Sequence, residues 1–212
     1  MDLIDPRVGE HLDRLVPDRP KRMVEMERHA AETDFPIIGP AAGHFCYLIA
    51  RMIGARSVFE LGSGFGYSTA WFARAVQENG GGTVHHVVWD KELSDQAHEH
   101  LDKLGYRDIV QYHVGEAVGM LRGTRGFVDL VFNDIDKEGY PAALDVIEEK
   151  LRPGGVLITD NLLWHGRIFE EDDDSPATAG VRELTRRVTT SDHWTASIVP
   201  IRDGLLLAVK KR

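Results

Sequence analysis

The stretch Val58-Phe59-Glu60-Leu61-Gly62-Ser63-Gly64-Phe65-Gly66-Tyr67-Ser68 decides how the rest of the chain is read. An apolar run ends in a carboxylate, turns through three glycines and enters a helical pattern. A parallel sheet makes a nucleotide-binding edge in this way: the glycines let a ligand approach the backbone, and the helix N-terminus faces the cleft. The glycines fall at 62, 64 and 66. A dinucleotide fingerprint places its third glycine three residues after the second, and a P-loop follows its last glycine with Lys and Ser/Thr. Neither condition is met. The turn points away from NAD and ATP and towards a ligand without phosphate.

Outward from this turn, short apolar runs occur at 57–61, 84–89, 109–114, 127–133, 155–159, 194–200 and 204–209. Amphipathic stretches at 67–78, 91–104, 116–122 and 139–150 separate the first five. Such alternation predicts βαβ units and a parallel sheet. Only Arg202-Asp203-Gly204 separates the last two runs, which demands a hairpin and hence one antiparallel strand. Residues 1–55 are mostly helical in pattern, interrupted by Pro36 and Pro40, with a helix predicted over 44–53. The acidic run Glu170-Glu171-Asp172-Asp173-Asp174-Ser175-Pro176 reads as a mobile solvated loop over a cleft, its proline near the start of another helix.

Bulk properties narrow the class. A chain of 212 residues is expected to form one domain, a helical region at 1–55 and an α/β core at 56–212. No apolar run reaches the roughly 18 residues of a membrane span. The opening Met1-Asp2-Leu3-Ile4-Asp5 has no apolar signal core, and the single cysteine, Cys46, precludes an intrachain disulfide. Both fit a cytoplasmic protein, with Cys46 a buried packing residue between Phe45 and Tyr47. With 34 acids against 25 bases the net charge is −9, which opposes nonspecific nucleic-acid binding.

In an open parallel sheet the ligand lies beyond the carboxyl ends of the strands, so residues there carry the chemistry. Asp90, after Val87-Val88-Trp89, is placed to accept hydrogen bonds from a ribose diol or to cap the next helix. The fourth strand ends in Asn133-Asp134-Ile135-Asp136-Lys137 and the fifth in Thr159-Asp160-Asn161. Adjacent strands lie about 4.8 Å apart, so Asp134, Asp160 and Asn161 can converge. Two carboxylates and an amide oxygen suit Mg²⁺, Ca²⁺ or Mn²⁺ rather than zinc. The alternative is that they are turn and cap residues. His85, His86, His98, His100 and His113 share no strand-end position and read as surface or structural.

These pieces resemble the cation-dependent O-methyltransferases, the family of catechol and caffeoyl-CoA O-methyltransferases and their small bacterial relatives. The resemblance runs from about residue 20 to the C-terminus. It rests on Phe59-Glu60-Leu61-Gly62 with Gly66-Tyr67-Ser68, Asp134-Ile135-Asp136-Lys137, Leu151-Arg152-Pro153-Gly154-Gly155, Thr159-Asp160-Asn161-Leu162-Leu163-Trp164 and Pro200-Ile201-Arg202-Asp203-Gly204-Leu205. It implies a Rossmann-like class I methyltransferase: seven strands, mostly parallel with one antiparallel, helices on both faces and a helical N-terminal extension. By position it implies that Glu60, Gly62, Gly66 and Ser68 hold the amino-acid end of S-adenosylmethionine (SAM) and Asp90 its ribose. Gly115, Glu116, Ala117 and Asp136 would lie near the adenosine, with Asp134 bordering the cofactor. Asp134, Asp160 and Asn161 would bind the divalent ion, Mg²⁺ foremost. Lys137 would be the base for the attacking hydroxyl. Trp164, His165 and the loop at 166–176 would wall the acceptor pocket. Asn133, where the family usually has an apolar residue, and Trp89 beside the ribose acid are departures.

The implied acceptor is a small molecule with vicinal oxygens, and a homodimer is the implied assembly. Some small bacterial relatives instead methylate 5-hydroxyuridine in tRNA. Arg19, Lys21, Arg22, Arg51, Arg56 and Lys210-Lys211-Arg212 are the side chains that would grip phosphates in that case. A noncatalytic SAM-binding protein would have no need of Asp134, Lys137, Asp160 and Asn161 together.

Overall fold

The computed structural model describes residues 5–211; Met1-Asp2-Leu3-Ile4 and Arg212 lie outside the described residues. Three helices lead: α1 (Pro6–Leu15), α2 (Lys21–Thr33) and α3 (Gly39–Met52). Strands and helices then alternate as β1 (Ser57–Leu61), α4 (Tyr67–Glu78), β2 (Thr83–Val88), α5 (Lys91–Lys103), β3 (Val110–Val114), α6 (Ala117–Gly123), β4 (Val128–Asn133), α7 (Tyr140–Lys150) and β5 (Leu151–Thr159). The chain closes with α8 (Pro176–Thr190), β6 (Trp194–Val199) and β7 (Leu205–Lys210). Short 3₁₀ segments, Lys137–Gly139 and Trp164–Phe169, follow β4 and β5.

The seven strands form one sheet in the order β3-β2-β1-β4-β5-β7-β6. Pairings among β1 to β5 are parallel, and β7 runs antiparallel to both β5 and β6. The predicted hairpin therefore exists, and its second strand slots between β5 and the edge.

Strand alternation explains the two cores. Val58 joins the face covered by α3, α4 and α5, whereas Phe59 and Leu61 join the face covered by α6, α7 and α8. Period two then sends Glu60 towards α4 and buries it completely. Cys46 is also fully buried, as expected, and burial raises its thiol well above the ordinary range.

Three boundaries differ from expectation. Pro40 opens α3 instead of interrupting the helical pattern, because a first-turn residue has no intrahelical N–H bond to lose. β5 starts at Leu151, so the Pro153-Gly154-Gly155 stretch lies inside the strand, beside a register shift against β4 between Val128 and Leu130. The acidic run is not one free loop. Asp173 accepts from Arg167 Nε at 2.7 Å and Thr178 Oγ1 at 2.8 Å, which holds its carboxyl below the usual carboxylate range.

Candidate active site

The parallel ladder itself assembles the site. Leu61, Asn133 and Thr159 share one register row across β1, β4 and β5. The backbone continues the ladder one step further: Asp134 N donates to Leu61 O at 2.8 Å and Asp160 N to Asn133 O at 3.2 Å. Ser63 N to Val87 O at 2.9 Å and Gly115 N to Val88 O at 3.0 Å extend the same edge towards β3. The strand-end residues singled out from the sequence thus lie along one edge. That edge flanks the β1/β4 junction, where the strand order reverses.

At this junction a cavity of about 480 Å³ is lined by Asp134, Asp160, Asn161 and Lys137, together with Gly62, Trp164 and Arg202. A smaller cavity of about 30 Å³ shares Gly62, Gly64 and Asp134 with it and adds Ser63 and Ser68. Gly62 has φ +87°, and a Cβ there would lie 2.4 Å from the carbonyl oxygen of Asp134. The glycine is therefore required by the approach of the β4 turn as well as by the turn it sits in.

Lys137 Nζ donates to Asp134 Oδ1 at 2.9 Å and to Ile135 O at 3.2 Å, and stands 5.2 Å above the centre of the Tyr140 ring. Burial raises the Asp134 carboxyl, and Lys137 opposes that shift. Asp160 is 2 % exposed. Burial, reinforced by the facing Asp134 carboxylate, pushes it up to about 6, while Arg202 pulls it back. Asp160 Oδ1 accepts from Asn161 N at 2.8 Å, and its carbonyl accepts from the buried Tyr140 hydroxyl at 2.9 Å. Asn161 takes a left-handed φ of +60°. Its Nδ2 donates to Asp203 Oδ2 at 3.2 Å, which leaves the amide oxygen as the group's remaining acceptor.

The other candidates occupy distinct settings. Glu60 is pushed up to about 7 by burial, against the lowering effect of hydrogen bonds with Ser68, Thr69 and Ser63. Thr69 Oγ1 also lies 3.0 Å from Nδ1 of His86, a ring whose burial takes it down to about 3. Asp90 caps α5 through Oδ1 alone, accepting from Glu92 N at 2.6 Å and Leu93 N at 3.2 Å. Glu116 likewise caps α6, accepting from Val118 N at 2.8 Å and from Gly119 N. Asp90, Gly115, Glu116 and Ala117 lie outside the 480 Å³ cavity, whereas exposed Asp136 lines it. Asn133 is fully buried, with both amide atoms unpartnered among the described residues. His85, His86, His98, His100 and His113 do not line the cavity.

Residues 17–211 match the family model described as O-methyltransferase. The chain belongs to the O-methyltransferase family. A catechol O-methyltransferase of Niastella koreensis is 30% identical over 192 residues, covering 85% of this chain and 86% of the relative. A catechol O-methyltransferase of Mycobacterium tuberculosis is 34% identical over 182 residues, covering 84% and 82%. The crystal structure of an O-methyltransferase from Bacillus cereus in complex with SAH superposes with a TM-score of 0.87 at 25% identity, covering 97% of each chain. The Rossmann-like fold expected from the sequence is therefore that of this O-methyltransferase.

Sequence reasoning left three cavity-shaping residues of the O-methyltransferase without a role. Asp203 anchors Asn161 and also accepts from His165 N at 2.7 Å. Its Asp-Gly pairing with Gly204 was legible only as a turn. Tyr140 looked like an ordinary core aromatic. Gly180, where a Cβ would fall 2.2 Å from the carbonyl oxygen of Lys137, carries no local signal.

Proposed function

We propose that this chain is a SAM-dependent O-methyltransferase that uses a divalent cation to methylate one hydroxyl of a small catechol-like acceptor. One observation carries the reading: Asp134, Asp160, Asn161 and Lys137 line a single cavity that also touches the glycine turn after β1. Among the described residues no three His, Cys, Asp or Glu side chains cluster as a metal centre. The candidate set instead completes two carboxylates with an amide oxygen. That all-oxygen donor set fits Mg²⁺, with Ca²⁺ or Mn²⁺ as the other hard ions it would accept. Once bound, such an ion supplies Lewis acidity that makes an acceptor hydroxyl easier to ionise.

The chain's own groups do the rest. Lys137 is within reach of the cavity and takes the proton from the acceptor hydroxyl. Gly62, Gly66 and Ser68, backed by buried Glu60, receive the amino-acid end of SAM. The small cavity beside Gly62, Ser63 and Ser68 supports that placement. Asp90 keeps Oδ2 available for the ribose because both capping bonds fall on Oδ1. Gly115, Glu116, Ala117 and Asp136 flank the adenosine. Trp164 and His165 wall the acceptor side. Methyl transfer from a sulfonium is an in-line displacement, so alignment of donor and acceptor is the main contribution. The titled relatives, catechol O-methyltransferases and a structure with SAH, agree with this assignment.

A tRNA acceptor has less support. Arg19 is engaged by Glu27 at 2.6 Å, Arg22 by Glu99 at 3.0 Å and Arg51 by Glu78 at 3.3 Å. Arg56 donates to Gly81 O at 2.8 Å and Lys210 to Leu151 O at 2.9 Å. We also propose the homodimer, with the face of α1 and α3 as its interface, since Leu15, Leu48 and Met52 are exposed there.

The test is transfer of a labelled methyl group from SAM to a panel of catechols and, in parallel, to hypomodified tRNA. Turnover of a catechol with Mg²⁺, lost in EDTA and restored by added Mg²⁺, is expected. Undiminished turnover in EDTA removes the cation from the mechanism, and labelling of tRNA alone replaces the acceptor. No described helix is long and apolar enough to cross a membrane.

A further inference from the structure

The turn from β6 to β7 is closed by Gly204 N donating to Ile201 O at 2.9 Å, which puts Arg202 at its first central position. Arg202 has φ +51°. A left-handed φ there is the place of a glycine, and a large L side chain is strained in it. Such strain at a cleft persists where the side chain is needed.

The side chain reaches the cavity. Its stem passes the start of α3, where a Cβ on Gly39 would lie 3.6 Å from Arg202 Cδ, and the residue lines the space beside Asp160 and Asn161. Among the described residues the guanidinium donates no hydrogen bond, and its ion pair to Asp160 Oδ2 is long, at 3.7 Å. Lys137, by contrast, is committed to Asp134 at 2.9 Å. Arg202 therefore offers a planar fork of donors to whatever enters. It does so in a chain of net charge −9, where Asp136 and Glu138 also line the cavity. A guanidinium fork matches a carboxylate with two parallel hydrogen bonds.

We propose that Arg202 is a specificity residue: it selects acceptors that carry a carboxylate in addition to vicinal hydroxyls. The inference rests on the catechol-like reading of the acceptor, and deepens it from a neutral diol to a carboxylated one. Arg202 pairs with the carboxylate while the hydroxyl edge faces Asp134, Asp160 and Lys137.

Binding, measured separately from turnover, tests this. The protein with SAH and Mg²⁺ is titrated calorimetrically with 3,4-dihydroxybenzoate and with 4-methylcatechol, as wild type and as Arg202→Gly. Wild type is expected to bind the benzoate about tenfold more tightly, as a charge-assisted bidentate pair warrants. Arg202→Gly should bring the two affinities together, leave 4-methylcatechol unchanged and not lower the melting temperature, because glycine suits φ +51°. Equal wild-type affinities, no detectable benzoate binding, or a preference that survives Arg202→Gly overturns the proposal. Labelled-methyl transfer to the bound benzoate is followed independently. Tight binding without transfer sinks the proposed reaction and leaves the role of Arg202 standing.

Discussion

Glu60 and Asp160 are buried acids with different tasks. Glu60 has a folded-state pKa of about 7 against an ordinary 4.5. Between these values the folded chain holds a proton that the unfolded chain has released. Glu60 therefore costs stability progressively as pH rises from 4.5 to 7, and the full cost applies above 7. Glu60→Gln mimics the protonated form. Its stability relative to wild type should climb across that window by up to about 3 kcal/mol, read from urea midpoints at pH 5 and pH 8. A difference independent of pH would show that Glu60 ionises normally. Asp160→Ala makes the complementary case. Methyl transfer should be abolished while SAM affinity stays within a few-fold, measured by calorimetry. Loss of SAM binding with unchanged cation dependence would contradict the assignment of Asp160 to the cation.

Among the elements, α8 decides where Lys137 sits. Gly180 lets the helix touch the 3₁₀ turn of Lys137–Gly139, since a Cβ there would stand 2.2 Å from Lys137 O and 3.0 Å from Glu138 Cα. The Trp164 indole Nε1 donates to Thr178 on the same helix at 3.1 Å, and Asp173 ties the preceding loop to it. Gly180→Ala should displace the Lys137 turn, costing about 1–3 kcal/mol by overpacking. The expected readout is a fall in kcat of at least about tenfold with a smaller change in SAM affinity, since misplacing a reacting group by an ångström is expensive. Gly123→Ala, at the end of α6 with nothing within 4 Å, is the control and should leave turnover intact.

The whole molecule is one sheet with a hydrophobic cluster on each face, and residues of β1, β4 and β5 belong to both clusters. The two clusters should therefore melt together, in one transition by calorimetry, as a single domain requires. A ligand that binds only the folded chain raises that transition. With SAM present, Mg²⁺ at about 100 times its Kd should add about 2.7 kcal/mol, a shift of several degrees. Asp160→Asn should lose the Mg²⁺-dependent shift while keeping the shift due to SAM. If Mg²⁺ moves the variant and the wild type equally, the ion binds elsewhere.

Much of this was legible in the residues. Period-two apolar runs and amphipathic stretches marked the elements, and Gly62, Gly64 and Gly66 marked the cofactor turn. Asp134 and Asp160 stood out because acids directly after apolar strands are conspicuous in a linear chain. Asp90 and Glu116 show the limit: each caps a helix, and local pattern alone does not separate a cap from a ligand-binding acid. The acidic run showed it too, since its charge hid the tethering of Asp173 by Arg167 and Thr178.

What the chain determined by itself is the succession of strands and helices and the chemical groups at the strand ends, because both depend on neighbours a few residues away. Only the tertiary structure decided that β1, β4 and β5 lie side by side and so join Asp134 to Asp160. It also decided that Gly62 makes room for a carbonyl from β4, that Gly180 seats the Lys137 turn, and that Arg202 leans over the cavity. Those contacts join residues far apart in sequence, and their distances are set by the packing of the whole sheet rather than by any local preference.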